Sequence, residues 1–344
     1  MSLFVVLGTA ACGAKPPAAS ERSSQPSAAP GVVGYLYTES TEVTFLQWPT
    51  DHVGEAEGTI DSAVASSSPP DETVATDSGS FTVRIDGHSV TLQLGGHTDY
   101  GSLSGDTLTL NVRQSDGSIR PITYRRASPT DYNTALATLR KAVAGANSRA
   151  QNDQQTAQEI KSLTDDYKTI GEDRGTLKSD LSTLASDVST AGDDLKTTHD
   201  DEKAVIAESS TSDTSEVCVD ADGVGVDADG VSVDADGVST DLGTVTDDLS
   251  ALRKAVSSLR SSLETVEKDV PTYNGSDGQP TPTEAEKAIT EAKSFITGLV
   301  SQVNADIDQT NAHVSDAYGY SAAASKAGHC GSASSAPTPI EHIK

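Results

Sequence analysis

Six aspartates hold fixed places in a heptapeptide, Val-Asp-Ala-Asp-Gly-Val-x, that occurs three times from Val219: Asp220, Asp222, Asp227, Asp229, Asp234 and Asp236. Closely spaced carboxylates followed by glycine are the chemistry of a calcium loop, in which hard oxygens and a tight turn wrap the cation. The third acidic position and the distal bidentate Glu of an EF-hand are missing, however, and seven is the period of a coiled coil. The repeat therefore reads first as a polar helix face, with calcium at these six aspartates the lesser alternative; no other metal or cofactor is expected. Gly223, Gly230 and Gly237 would each cost up to about 1 kcal/mol inside a helix, which predicts a loose stretch.

Three cysteines need separate treatment. Cys12 follows a short apolar stretch, residues 3–7, and the small residues Gly8, Thr9, Ala10 and Ala11. This reads as the end of a lipoprotein signal, whose cysteine is lipidated and becomes the new N-terminus. Thr9 stands where a leucine is usual, and no cationic segment precedes the stretch. Lipid on Cys12 predicts an extracytoplasmic protein anchored at the cell membrane, with plain secretion as the alternative. Cys218 and Cys330 are then left as one pair for a disulfide in an oxidising compartment.

Other candidate chemistry is sparse. His88 and His97 flank one predicted strand, and His97 and Asp99 fall on one side of an extended segment, a weak basis for a metal site. No residue sits in a nucleophile motif and no glycine-rich phosphate loop occurs, so the chain reads as non-enzymatic. Trp48, the single tryptophan, reads as a core residue of the sheet.

Positioning these residues falls to a chain that is only 4% aromatic and 35% hydrophobic over 344 residues, against about half apolar in an ordinary globular protein. That composition favours a thin bundle over one thick core. The formal net charge of -27 excludes nucleic acid and anionic lipid as charge-driven partners, because both need a basic footprint. Residues 1–12 read as the signal and 13–30, rich in Pro, Ser and Ala, as a tether.

From residue 31 the pattern has period two. Phe81, Val83 and Ile85 alternate with polar residues, as do Val90, Leu92 and Leu94, with Asp86-Gly87 between them as a hairpin signal. Leu108, Leu110 and Val112 form a further inward row, and Asp116-Gly117 marks a second hairpin. With strands expected over 33–37, 42–48 and 54–64, and a polar loop over 66–77, residues 31–127 read as an antiparallel meander of about eight strands, closed or nearly closed into a small barrel. Phe45, Phe81, Ile85, Leu92, Leu108 and Tyr124 are its expected filling.

Ser128-Pro129-Thr130-Asp131 then announces a helix, with Ser at the cap and Pro at the first helical position. Leucines from Leu163 to Leu195 keep heptad spacing, the polar cluster 208–216 breaks it, and Ala221, Val224, Ala228, Val231 and their successors resume it to Val270 in a new phase. A break with a phase change reads as a hairpin tip. Pro271 ends the second helix, and Thr281-Pro282-Thr283-Glu284 caps a third. The expectation is α+β, segregated: a β-domain followed by a three-helix, coiled-coil-like bundle over 128–330, with helices near 128–208, 218–270 and 282–322 and a disordered tail over 331–344. Counting back from a turn near residue 277 puts residue 330 beside 224, within about two helical turns of Cys218, so a Cys218–Cys330 disulfide is expected.

Taken together, Cys12, the strands over 31–124 carrying Gln47-Trp48, the Asp131-Tyr132 helix start and the repeat ending near Cys330 resemble exported, lipoprotein-like proteins of high-GC Gram-positive (actinobacterial) bacteria. The resemblance covers most of the chain, rests on layout, and implies a cell-envelope setting without an activity. Two functions fit: a structural or interaction protein, joined to a protein partner or to itself through the helices, or a lipoprotein that holds a small ligand in the barrel interior.

Overall fold

The structure, a computed structural model, describes residues 31–50, 54–114, 117–210, 213–276 and 278–344. Cys12 and the signal and tether expected over residues 1–30 lie outside them, as does Asp116. The chain forms two compact units, Met1–Gln154 and Gln155–Lys344.

In the first unit, β1 (Val32–Thr38), β2 (Glu42–Pro49), β3 (Gly54–Ser66), β4 (Thr73–Asp86), β5 (Ser89–Leu94), β6 (His97–Ser104), β7 (Thr107–Arg113) and β8 (Ile119–Arg126) follow in order. Each pairs antiparallel with the next, and β1 closes on β8 through Tyr35 and Arg126 to complete a barrel. The expected Asp86-Gly87 turn is present, with Gly87 at a φ of 61° that a Cβ would disfavour. Alternation puts Leu108, Leu110 and Val112 inside with Leu92, Phe81 and Tyr124. Tyr35 stacks on Trp48 at 5.1 Å between ring centroids, and Phe81 meets Trp48 edge-on at 6.1 Å.

Two expectations for this unit need correction. The polar stretch 66–77 is not one loop: β4 begins at Thr73 and pairs with β3 from Ser66↔Thr73 onwards. Its polar residues reflect exposed faces, which the ladder tolerates. Phe45 does not fill the barrel either. It lies on the outer face of β2, in a second cluster with Val43, Ala63 and the start of α1 (Pro129–Glu208), where Tyr132, Leu139 and Val143 cover it. Strand β2 is thus buried on both faces, with Leu46 and Trp48 pointing inward. The helix start has the expected chemistry: the Asp131 amide donates to Ser128 Oγ at 3.3 Å, and the Ser128 amide donates to Asp131 Oδ2 at 2.7 Å.

In the second unit the rest of α1 lies with α2 (Thr214–Asp269) and α3 (Pro282–Ala327). Leu163, Ile170, Leu177 and Leu184 of α1 share one apolar cluster with Val238, Val245, Leu249, Leu252, Leu259 and Val266 of α2 and Ile289, Leu299, Val303 and Ile307 of α3. Cross-contacts give the directions. Ser262 of α2 donates to Asp166 of α1 at 2.6 Å while Gly237 faces Asp187, so these two helices run antiparallel. Arg174 bonds Glu291 at 3.3 Å and His199 stacks on Tyr320, so α1 and α3 run parallel. Towards the α1–α2 tip the core narrows to Ala191, Ala228, Ala235, Ala317 and Ala324 with valines, which suits the low aromatic content.

The helix ends differ from expectation in three places. Asp213 caps α2 by accepting the Ser215 amide at 2.7 Å, so the helix starts at Thr214 and not near 218. The last helix continues to Ala327, because Ser321 and Ala324 remain buried. The tail over 331–344 is not structureless: Ile340 and Ile343 pack against the apolar cluster.

Candidate functional site

The six repeat aspartates part into two rows because the repeat is helical throughout. The first aspartates of the second and third repeats, Asp227 and Asp234, face α1. Asp227 meets Asp201 and Asp234 meets Asp194, and the row continues past the repeat with Asp241 against Asp187 and Asp248 against Asp180. Each step of seven down α2 matches a step of seven up α1, where Asp173, Asp180, Asp187, Asp194 and Asp201 recur at heptad spacing. Four carboxyl pairs therefore run along one side of the α1–α2 seam.

Burial raises the Asp180, Asp227, Asp234 and Asp241 carboxyls above their ordinary value first, and the neighbouring carboxyl's hydrogen bond and negative charge raise them further. With both members ionised, the buried Oδ2 atoms of Asp180, Asp234 and Asp241 have no donor. Two carboxyls sharing a site favour a proton between them, and such a proton is the donor these oxygens lack. Two repeat glycines lie beside the row, and at Gly237 the approach is close. A Cβ on Gly237 would lie 3.3 Å from Asp187 Oδ2, and one on Gly230 would lie 3.6 Å from Asp194 Oδ2.

The second aspartates, Asp222, Asp229 and Asp236, are exposed. Asp229 accepts the Tyr318 hydroxyl of α3 at 2.7 Å. The calcium-loop reading of Asp220, Asp222, Asp227, Asp229, Asp234 and Asp236 therefore fails on geometry. A helix engages its carbonyls in its own hydrogen bonds and turns neighbouring aspartates apart, as where Asp227 faces Asp201 of α1 and Asp229 meets Tyr318 of α3. Among the described residues no three His, Cys, Asp or Glu side chains gather as a metal site.

Cys218 and Cys330 are joined, with Cα atoms 5.5 Å apart. The bond ties the start of α2 to the residues after α3, beside Val217, Val205 and Ala324. The register differs from the expected one by six residues because the α2–α3 turn pivots nearer Asn274 than residue 277. His88 Nδ1 lies 3.0 Å from the Leu103 carbonyl, a structural bond within the sheet. Asp99 is raised mainly by burial and accepts a hydrogen bond from the Arg113 backbone. The barrel interior is filled by Tyr35, Trp48, Phe81, Leu92, Leu108 and Tyr124. At one mouth a hollow of about 270 Å³ opens, lined by Tyr35, Trp48, Ile85, Leu103 and Arg126 among others.

Sequence reasoning missed the asparagines. Asn311 of α3 donates from Nδ2 to the Ile340 carbonyl at 2.9 Å and accepts the Ile340 amide on Oδ1 at 2.8 Å. One heptad earlier, Asn304 does the same for Ile343, at 3.2 and 2.9 Å. In the first unit Asn147 of α1 holds Glu72 by the same pair of bonds, at 2.7 and 3.2 Å. The available signal was Asn304 and Asn311 seven apart on one helix face, together with two isoleucines in an otherwise polar tail. No protein-family model matches the chain, and no curated protein matches it.

Proposed function

We propose that this chain is a non-enzymatic structural or interaction protein of the cell envelope, anchored by lipid on Cys12 and carrying a β-barrel module and an acidic, coiled-coil-like helical unit. The observation that carries the reading is the shared seam of α1, α2 and α3, buried along its length and locked at the end far from the α2–α3 turn by Cys218–Cys330. At 1.5 Å per residue, the 56 residues of α2 make a rod of about 84 Å. A rod of that length suits spacing or docking. The disulfide supports an oxidising compartment. Filled packing inside the barrel weighs against a ligand held there, since small-molecule sites are commonly about 300–1,000 Å³.

The test is mass spectrometry of the protein from the membrane fraction. The expected result is a diacylglyceryl-modified N-terminal Cys12 in a chain whose Cys218 and Cys330 peptides are disulfide-linked. An unmodified N-terminus on a protein found in the cytosol would overturn the envelope placement.

A further inference from the structure

The segment over residues 337–344 is held against the helices in the manner of a bound peptide. It has no helix or strand bonds of its own, and its main chain is read at two points by Asn311 and Asn304. Spacing makes the fit regular. Seven residues of helix advance about 10.5 Å, and three residues of extended chain advance about 9 to 10 Å, so asparagines one heptad apart meet residues three apart. Ile340 and Ile343 then both turn into the apolar cluster. His342 Nε2 lies 2.8 Å from Asp308, between the two asparagines on α3, and Arg253 of α2 donates to the Lys344 main-chain oxygen at 2.7 Å.

A side-chain amide that both donates to and accepts from one residue's backbone recognises chain direction and extension, whatever the side chain. Selectivity falls to the two isoleucine contacts. Between Cys330 and Pro337 runs Gly-Ser-Ala-Ser-Ser-Ala, a flexible composition that leaves the bound segment tethered but not rigidly joined.

We propose that the α3 face bearing Asn304 and Asn311, with Arg253 of α2, is a binding site for an extended peptide carrying two branched aliphatic residues three apart. Residues 337–344 are its resident ligand, and the same segment from a second copy is the occupant it takes in trans. The proposal goes beyond the envelope reading and stands independently of it, since it needs neither lipid nor barrel. Tethering gives the resident segment a high effective concentration, which keeps the site closed to weak competitors.

The experiment uses the full chain and a fluorescein-labelled peptide of residues 335–344, which stands for a second copy's segment. I340D/I343D puts charges where the resident isoleucines enter the apolar cluster and so frees the site. The expected anisotropy result is saturable binding to I340D/I343D, at least ten-fold weaker binding to wild type, and at least ten-fold weaker binding to I340D/I343D/N304A/N311A. Absence of saturable binding by an I340D/I343D chain that keeps wild-type circular dichroism overturns the proposal, and so does binding that loss of both asparagines leaves unchanged. Amide exchange gives a second measurement on a chain with its tail intact. Ile340 and Ile343 amides should be protected in wild type and exposed in N304A/N311A while α3 stays protected. Fast exchange at both amides in wild type also overturns it.

Discussion

Asp194 of α1 reaches to within 3.6 Å of the point where a Cβ on Gly230 would sit, and one heptad away Asp187 approaches Gly237 to 3.3 Å in the same sense. Gly237, which weakens α2 by its backbone freedom, thus gives room to a carboxylate on the neighbouring helix. The helix propensity lost at each glycine is about 1 kcal/mol; at Gly237 it is set against a tight approach, whereas 3.6 Å at Gly230 is ordinary contact.

That balance predicts an order among alanine substitutions. Gly223 has open space around its missing side chain, so Gly223→Ala should stabilise the helical unit by about 0.5–1 kcal/mol. Gly237→Ala gains the same propensity but must push Asp187 aside, so its benefit should be smaller. Urea denaturation of the two variants checks the order.

The carboxyl pairs set a pH dependence. Asp180, Asp227, Asp234 and Asp241 are raised in the folded state, so the folded chain holds protons that the unfolded chain has released. Their stabilising contribution is complete below the ordinary aspartate value and is lost as pH rises through the raised folded values. Facing them, Asp187, Asp194, Asp201 and Asp248 add only negative charge. The melting temperature of the helical unit should therefore rise as pH falls through those raised folded values towards the ordinary aspartate value. Replacing Asp187, Asp194 and Asp201 together by Asn should flatten that slope and raise the neutral-pH melting temperature, by about 2–4 °C for each kcal/mol of repulsion removed. An unchanged slope would count against shared protons.

Below the ordinary carboxylate range the sign reverses. The helix-capping acids Asp131 and Glu284 are lowered, chiefly by the backbone amides of Ser128 and Thr281. A lowered group stabilises above its unfolded value and loses that contribution as pH falls through its folded value. Melting temperature should pass through a maximum near pH 4–5, and Glu284→Gln should weaken the fall on the acid side.

Reduction should loosen one end of the helical unit. A closed loop with a sequence separation of 112 confers up to about 4–5 kcal/mol in the chain-entropy account. Cys218→Ser with Cys330→Ser should lower the denaturation midpoint. Amide exchange should quicken first around Val217 and Ala324, where the core is only alanine and valine, before reaching Leu249 or Leu259.

The outer face of β2 should matter as much as its inner one. Phe45 is fully buried beneath Tyr132, with ring centroids 5.7 Å apart. Phe45→Ala should cost about 3–5 kcal/mol of barrel stability, whereas Tyr100→Ala, at an exposed ring, should cost under about 0.5 kcal/mol. Thermal melts of the two variants decide this.

Period alone was enough to separate strands from helices here. Alternation at Leu108, Leu110 and Val112 and heptads through Leu163, Leu184, Val245 and Leu259 are one-dimensional records of which face meets water, and turn residues such as Gly87, Pro271 and Thr281 are local chemistry. The Cys218–Cys330 bond was also within reach, because antiparallel helices convert counting into distance. What needed three dimensions was every choice among neighbours. Phe45 and Phe81 look alike in an alternating strand, yet one faces the barrel and the other faces α1, since alternation says that faces differ and not which element covers each. Asp220 and Asp222 look like one motif until a helix turns them by about 200°, because each residue advances the helix by about 100°. The tail is polar enough to read as solvent-exposed, and only the meeting of a seven-residue helical step with a three-residue extended step brings Ile340 and Ile343 to Asn311 and Asn304.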